Sequence, residues 1–178
     1  MAVVYSGRGE VDGILEKIMD EHAEHLLRLA YFYVKNRHSA EDIVQEVFIK
    51  FSQHGYEERG QLRAYLSRLT INKSKDYLKS WHYKKLILQE KIFPVKANIQ
   101  RNTLIEAEER SYIGAAILKL PLTYREPIIL YYYEEMKITD IAQVLGILEN
   151  TVKTRLKRAR EALKSQLKQE EWEVLGHE

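Results

Sequence analysis

Six cationic side chains crowd one short stretch near the C-terminus, and they are the strongest chemical signal in the chain. From residue 149 to residue 164 an apolar residue recurs every three or four positions, which predicts a helix with one buried stripe and an exposed cationic surface. Only Glu149 and Glu161 oppose the cations. Such a surface binds nucleic acid, because cations that neutralise phosphates release the counterions condensed there. The cations are Lys153, Arg155, Lys157, Arg158, Arg160 and Lys164.

The stretch just before them predicts a shorter helix that braces the cationic one. Its apolar face comprises Ile138, Ile141, Ala142 and Leu145. Gly146 follows, and glycine adopts at no steric cost the left-handed conformation that ends many helices. A short helix, a glycine turn and a cationic helix form the pattern of a helix-turn-helix, whose second helix enters the major groove of DNA. A basic helix that only faces solvent is the plainer alternative.

A second candidate surface lies on a helix predicted from Ser39 to Gln53, which begins at a capping box formed by Ser39 and Asp42. The core side of this helix comprises Ile43, Val44, Val47, Phe48 and Phe51. Its other side carries a polar stripe with one aliphatic member, spaced so that the residues share one face. That stripe comprises Asp42, Gln45, Glu46 and Ile49. It is typical of a protein-docking face, and an ordinary solvated stripe is the alternative.

A third helix, predicted from Leu62 to Tyr83, combines cations with aromatic rings. Its polar side comprises Arg68, Asn72, Lys75 and Lys79, and the interleaved rings are Tyr65, Tyr77, Trp81 and Tyr83. Cations follow a nucleic-acid backbone while rings stack on unpaired bases, so this side is predicted to bind single-stranded DNA. For Tyr65 and Trp81, packing in the core is an equally good interpretation.

The composition narrows the class of protein. The 178 residues include no cysteine, which excludes disulfides and thiolate metal sites. No apolar run approaches the roughly 18 residues of a membrane span, and the N-terminus lacks a signal-peptide core, so we expect a cytoplasmic protein. His22 and His25 lie one turn apart, but without further ligands we interpret them as a solvated pair and expect no metal. No glycine-rich phosphate loop or nucleophile motif indicates an enzyme or a cofactor.

Together with three further helices, these elements predict an all-α chain of two small helical domains joined by a flexible linker. A long first helix is predicted from Asp12 to Asn36, with a buried side at Leu15, Ile18, Met19, Leu26, Leu29, Ala30 and Tyr33. Another begins near Leu104 and ends before Pro121, and the next begins at a second capping box, Thr123 with Glu126. We predict domains over residues 1–85 and 105–168, a linker over 86–104 and an acidic tail over 169–178.

Several of these motifs occur together in one known family. Residues 40–48, AEDIVQEVF, and residues 62–72, LRAYLSRLTIN, followed by DYL at 76–78, resemble region 2 of bacterial sigma factors. Residues 120–127, LPLTYREP, with the helix-turn-helix after them, resemble region 4. A chain that has these two regions in this order, and no others, is similar to the extracytoplasmic-function (ECF) class of sigma factors.

The resemblance implies a function without catalysis, cofactor, metal or small-molecule substrate. Such a protein binds core RNA polymerase and directs promoter-specific transcription initiation, and an anti-sigma factor, often membrane-anchored, holds many family members inactive. Region 2 would dock on the β′ coiled coil of the polymerase through Asp42, Gln45, Glu46 and Ile49. It would hold the melted −10 element through Tyr65, Arg68, Asn72, Lys75 and Lys79, together with the loop at 56–61. Region 4 would bind the β flap and read the −35 duplex through Asn150, Thr151, Lys153, Thr154, Arg155, Lys157 and Arg158.

One departure from the family pattern concerns helix caps. Region 4 commonly has Ser before each motif helix, whereas this chain has Lys137 and Leu148, and a lost cap costs about 1 kcal/mol. We therefore expect region 4 to be locally weak until DNA or the flap orders it. Three other functions stay open: a regulator that binds duplex DNA without polymerase, an enzyme with a metal at the histidine pair, and an adaptor that docks on polymerase without promoter recognition.

Overall fold

The computed structural model describes residues 8–54, 62–80, 111–167 and 172, and the regular elements in these ranges are all helical. The chain divides into two compact units, Met1–Gln100 and Arg101–Glu178, which confirms the prediction of two small all-α domains. The exact domain boundaries at 85, 104 and 168 stay predictions, because they fall at or within residues outside the described ranges. Across the described parts of the chain, no helix has both the length and the apolar character needed to cross a bilayer.

The described residues of the first unit form three helices: α1 (Arg8–Val34), α2 (Arg37–His54) and α3 (Leu62–Lys79). All three pack against one another. Leu29, Val47 and Leu66, one from each helix, are completely buried. The predicted core stripe of α2 is confirmed, since all five of its members are buried. Heptad-like apolar spacing is a reliable guide there because α2 is covered along most of its length.

Met19 on α1 is a correction to the predicted core. It is in helical phase with Leu26, yet its side chain is 39% exposed. The fully buried part of α1 within the described residues begins at Leu26, about 10 Å further along the helix at its usual rise. Leu15 and Ile18 are half-buried. Spacing predicts which face of a helix turns inward, and it does not predict how far along that face the neighbouring helices reach.

The start of α2 is a second correction. Helix α1 ends at a left-handed Lys35, with a φ of 54°, and Asn36 then caps α2 by accepting the Ser39 backbone N–H at 3.0 Å. The prediction of Ser39 as the cap was wrong, because Asn36 occupies that role three residues earlier. Ser39 is buried inside the helix, where its hydroxyl lies 2.7 Å from the Tyr77 hydroxyl on α3. The pair ties α2 to α3.

The second unit contains α4 (Tyr112–Lys119), α5 (Leu122–Ile128), a π-helical turn (Ile129–Tyr133), α6 (Ile138–Leu145) and α7 (Glu149–Lys164). Both α5 and α6 pack on α7. The capping box predicted at Thr123 and Glu126 is wrong. The Pro121 carbonyl accepts the N–H groups of Tyr124 and Arg125, both at 2.9 Å, so α5 begins before Thr123. Glu126 is buried rather than placed at a helix terminus.

Candidate nucleic-acid interface

The turn between α6 and α7 has the geometry of a helix-turn-helix. Gly146 ends α6 with φ 65° and ψ 38°, the left-handed conformation expected from the sequence. The Ile147 N–H donates to the Ala142 carbonyl at 3.1 Å and closes the helix. A Cβ added to Gly146 would meet nothing within 4 Å, so the position needs glycine for its backbone angles and not for space. The chain therefore leaves the helix at Gly146 and starts α7 three residues later.

One stripe of α7 seats the helix on its own unit. Its members are at most 2% exposed, which confirms the predicted buried side: Val152, Leu156, Ala159 and Leu163. Most of the other residues of the helix are exposed. Of the residues predicted to contact −35 DNA, Thr151 and Arg155 are half-buried. The exposed ones are Asn150, Lys153, Thr154, Lys157 and Arg158. This arrangement presents amide, hydroxyl and cationic groups on one rigid element, as base and phosphate contacts require.

Both motif helices begin without a side-chain cap. Lys137 and Leu148 occupy the N-cap positions in extended conformations, and neither side chain accepts a helix N–H, as predicted. Asp140 and Glu149 lie in the first turns, where their negative charge favours the positive end of each helix dipole. The Leu148 side chain is 77% exposed. The start of α7 thus presents an apolar group where a capping hydroxyl is usual.

Arg160 differs from the other cations of α7. Its guanidinium lies 5.7 Å from the Tyr131 ring centre and 5.8 Å from that of Tyr132, and these two rings meet edge to face at 5.0 Å. The side chain is half-buried and joins α7 to the π-helical turn by cation–π contact. The sequence pattern had predicted Arg160 to be one of the exposed cations. The run of three tyrosines at 131–133 was the signal for a second role.

The predicted docking stripe of α2 is exposed at all four positions, and its aliphatic member, Ile49, is 54% exposed. Glu46 of that stripe accepts a hydrogen bond from Lys73 Nζ of α3 at 2.6 Å. Lys73 had not been predicted as part of a site, since it is out of phase with the α3 cations. The ion pair joins the polar stripe of α2 to α3 through a cation that lies outside the predicted α3 stripe.

The stripe predicted on α3 for single-stranded DNA is accessible along its length. Arg68, Asn72 and Lys79 are exposed, and Lys75 is half-buried. Tyr65 is half-buried, with its ring centre 6.5 Å from that of Phe51. One part of the side chain therefore packs against the core, and the other part is exposed to solvent. The loop at 56–61, Trp81 and Tyr83 were also predicted to take part, and they lie outside the described residues.

The histidine pair on α1 faces α3. The His25 ring lies 3.4 Å from the Arg63 guanidinium and 3.4 Å from the Ser67 hydroxyl. Burial lowers the pKa of His22 below 6.5, the neighbouring His25 and Arg63 lower it further, and Glu21 opposes them. In the described parts of the chain, no group of three or more His, Cys, Asp or Glu residues is placed to hold a metal ion.

Comparisons with known proteins match both units. The family model for sigma-70 region 2 matches residues 18–82, and the model for sigma-70 region 4 matches residues 110–163. The RNA polymerase sigma factor SigV of Bacillus subtilis (strain 168) is 31% identical over 169 residues, covering 89% of this chain and 93% of SigV. The ECF RNA polymerase sigma factor SigW of the same strain is 30% identical over 174 residues, covering 90% of this chain and 92% of SigW.

Two solved structures share the fold. The sigma factor RpoE in complex with the anti-sigma factor NepR from Bartonella quintana has a TM-score of 0.61 and 23% identity, covering 85% of this chain and 96% of RpoE. CnrH in complex with the cytosolic domain of CnrY has a TM-score of 0.55 and 22% identity, covering 85% of both chains. The α2 and α3 surfaces lie in the matched region 2, and the helix-turn-helix lies in the matched region 4.

Proposed function

Because this chain belongs to the ECF class of RNA polymerase sigma factors, which direct promoter-specific transcription initiation, we propose that its two helical units divide the promoter between them. The second unit reads the −35 duplex with α7. The observation that carries this assignment is the polar and cationic face of α7, held outward by a fully buried stripe in a helix-turn-helix. Such a helix enters the major groove with its N-terminal residues at the base edges.

We assign the melted −10 strand to α3 of the first unit. Tyr65, Arg68, Asn72, Lys75 and Lys79 follow one another at spacings of three and four, so they form a continuous stripe along the helix. The stripe ends in cations that can track a phosphate backbone, and its one ring can stack on an unpaired base. Tyr65 offers only part of its ring, because the other part packs near Phe51. Asn72 supplies an exposed amide for a base edge.

The docking site for core polymerase is the α2 stripe, and we assign its contact to the β′ coiled coil of the polymerase. An exposed aliphatic group surrounded by polar residues is the usual composition of a small interface, whose buried centre provides most of the affinity and whose rim is polar. Ile49 is the centre in this assignment, with Asp42, Gln45 and Glu46 as the rim. The second unit contacts the β flap.

We extend the proposal to regulation by an anti-sigma factor. A solved sigma factor of the same fold, RpoE, is in complex with the anti-sigma factor NepR, which supports such a partner for this chain. We place that partner at the membrane and this chain in the cytoplasm. This chain acts by binding and needs no cofactor, metal or small-molecule substrate. The chain itself performs no catalytic step.

Run-off transcription tests the function. Purified bacterial core polymerase is combined with the full chain on a pool of genomic promoter fragments, and transcripts that depend on the chain are sequenced. We expect them to share a −10 and a −35 element at fixed spacing. If core polymerase gains no initiation while the chain alone shifts duplex fragments, a regulator that acts without polymerase is the correct function.

Matched variants test the site assignments. Ile49→Glu should abolish binding to core polymerase, whereas Met19→Glu, which alters an exposed apolar residue outside the stripe, should leave binding intact. Lys157→Ala should weaken −35 recognition several-fold, whereas Lys164→Ala at the far end of the same helix should change it little. Equal effects within either pair would contradict the assignment of that surface.

A further inference from the structure

Leu148 is the most exposed large hydrophobic residue in the described parts of the chain, at 77%. It stands at the N-cap of α7 in an extended conformation, with φ −69° and ψ 148°. A leucine usually contributes to stability by being buried, and this one is outside the core. An N-cap residue usually contributes by accepting a helix N–H, which a leucine side chain cannot do. Neither burial nor capping therefore accounts for a leucine at this position, and its exposed side chain is available to a bound partner.

The surroundings of Leu148 indicate what that is. The exposed residues that follow it on α7 are polar or charged: Glu149, Asn150, Lys153 and Thr154. A single apolar group with a polar rim also occurs at Ile49, but the rim there is polar and acidic. Leu148 instead stands at the start of a helix whose exposed surface carries four Lys or Arg side chains against two acids, and that charge favours DNA over a protein partner. The DNA major groove matches that pattern, because thymine presents an isolated C5-methyl group between phosphate-lined walls.

We propose that Leu148 is a specificity residue that reads the methyl group of a thymine in the −35 duplex. This inference rests on the proposed function of α7. The residues at the start of a recognition helix are the ones that reach base edges, and Leu148 directly precedes the first helical residue. Leucine at this position replaces a stabilising cap with an apolar contact to DNA.

Substitutions at position 148 should change the stability of the chain and its recognition of DNA in different directions. A serine at position 148 could accept the N–H of Thr151, which in this structure bonds only to the Leu148 carbonyl, at 2.9 Å. Leu148→Ser should therefore raise the thermal stability of the full chain while removing the methyl contact. Leu148→Ala should remove the contact without adding a cap. A residue with a purely structural role would not show opposite changes in stability and recognition.

The test uses holoenzyme assembled from bacterial core polymerase and the full chain, on a promoter identified by run-off transcription. Each thymine of the −35 element is replaced singly by deoxyuridine, which removes only the C5-methyl group, and relative affinities are measured by competition. With the wild-type chain, one or two positions should weaken binding about fourfold, the effect of one buried methyl group. With Leu148→Ala and Leu148→Ser, the same replacements should weaken binding less than about 1.5-fold.

Tyr112→Ala is the matched control, because Tyr112 is the other exposed large hydrophobic residue described in this unit, at 70%, and should keep full sensitivity to deoxyuridine. If the wild-type holoenzyme binds the thymine and deoxyuridine promoters equally well at every position, the inference about Leu148 is overturned and the proposed function still stands. Undiminished sensitivity in Leu148→Ala, with weaker assembly on core polymerase, would assign Leu148 to a protein contact and also overturn it. Failure of the wild-type chain to support any promoter-specific initiation would overturn the proposed function as well.

Discussion

Replacing Gly146 by alanine should weaken the helix-turn-helix without any steric clash. The φ of 65° is the left-handed conformation, which costs an L-residue roughly 1–2 kcal/mol. Alanine also restricts the unfolded chain, which returns about 0.4–1 kcal/mol. The net expectation is a loss of about 1 kcal/mol, equivalent to a roughly fivefold larger population of locally open α6 and α7.

Gly13→Ala is a control in which the expected change in stability has the opposite sign. Gly13 lies within α1, and an added Cβ would again meet nothing within 4 Å, but no positive φ is required there. Glycine inside a helix is about 0.5–1 kcal/mol less favourable than alanine, so Gly13→Ala should stabilise the N-terminal part of α1. The two substitutions are chemically identical and both sites have free space. If the two stability changes have opposite signs, the difference is therefore due to backbone conformation.

Amide hydrogen exchange of the full chain, resolved by peptide, measures both effects in place. Peptides from α6 and α7 should exchange about five times faster in Gly146→Ala, and peptides from the start of α1 should exchange more slowly in Gly13→Ala. Unchanged protection of α6 and α7 in Gly146→Ala, or changes of the same sign in both variants, would refute the assignment of Gly146 as a conformational requirement of the turn.

Three further predictions concern interactions that the structure reveals. Arg160→Ala should destabilise the chain by about 1 kcal/mol in urea denaturation through loss of its cation–π contacts, whereas Arg158→Ala should have almost no effect. Lys73→Ala should cost less than about 1 kcal/mol, less still in high salt, because both side chains of its ion pair are partly exposed; a larger cost would contradict that estimate. His22 has a lowered pKa in the folded chain, so the unfolded chain binds more protons as the pH falls below 6.5; stability should decrease there, and His22→Gln should flatten that decrease in a pH series of urea melts.

Periodicity made the interior of two helices predictable. The apolar stripes of α2 and α7 are buried as expected, because each helix is covered along its length and every turn of the pattern is therefore satisfied. The left-handed Gly146 was predictable for a related reason, since few other residues tolerate that conformation. The sequence alone therefore predicts structure well in two cases: where an apolar pattern repeats along a covered helix, and where few residue types tolerate the backbone conformation.

One error arose where two residues compete for the same local role. Asn36 and Ser39 are both good N-caps, and only the end of α1 at Lys35 decides that Asn36 comes first. The ion pair of Glu46 with Lys73 joins residues 27 positions apart, so no local pattern predicts it. Arg160 was misassigned for the same reason, because its aromatic partners lie on a different element. Local competition and distant pairing are settled by tertiary structure.

The charge distribution explains how a nearly neutral chain can bind DNA. The net charge is only +2, yet α3 has five Lys and Arg against one acid, and α7 has six against two. The rest of the chain is therefore acidic, and α2, with three acids and two Lys or Arg, belongs to that part. Counterion release depends on the cations that reach phosphates and not on the sum, so affinity should fall steeply with salt. The acidic remainder disfavours non-specific contact with DNA, which leaves the basic helices to act where polymerase positions them.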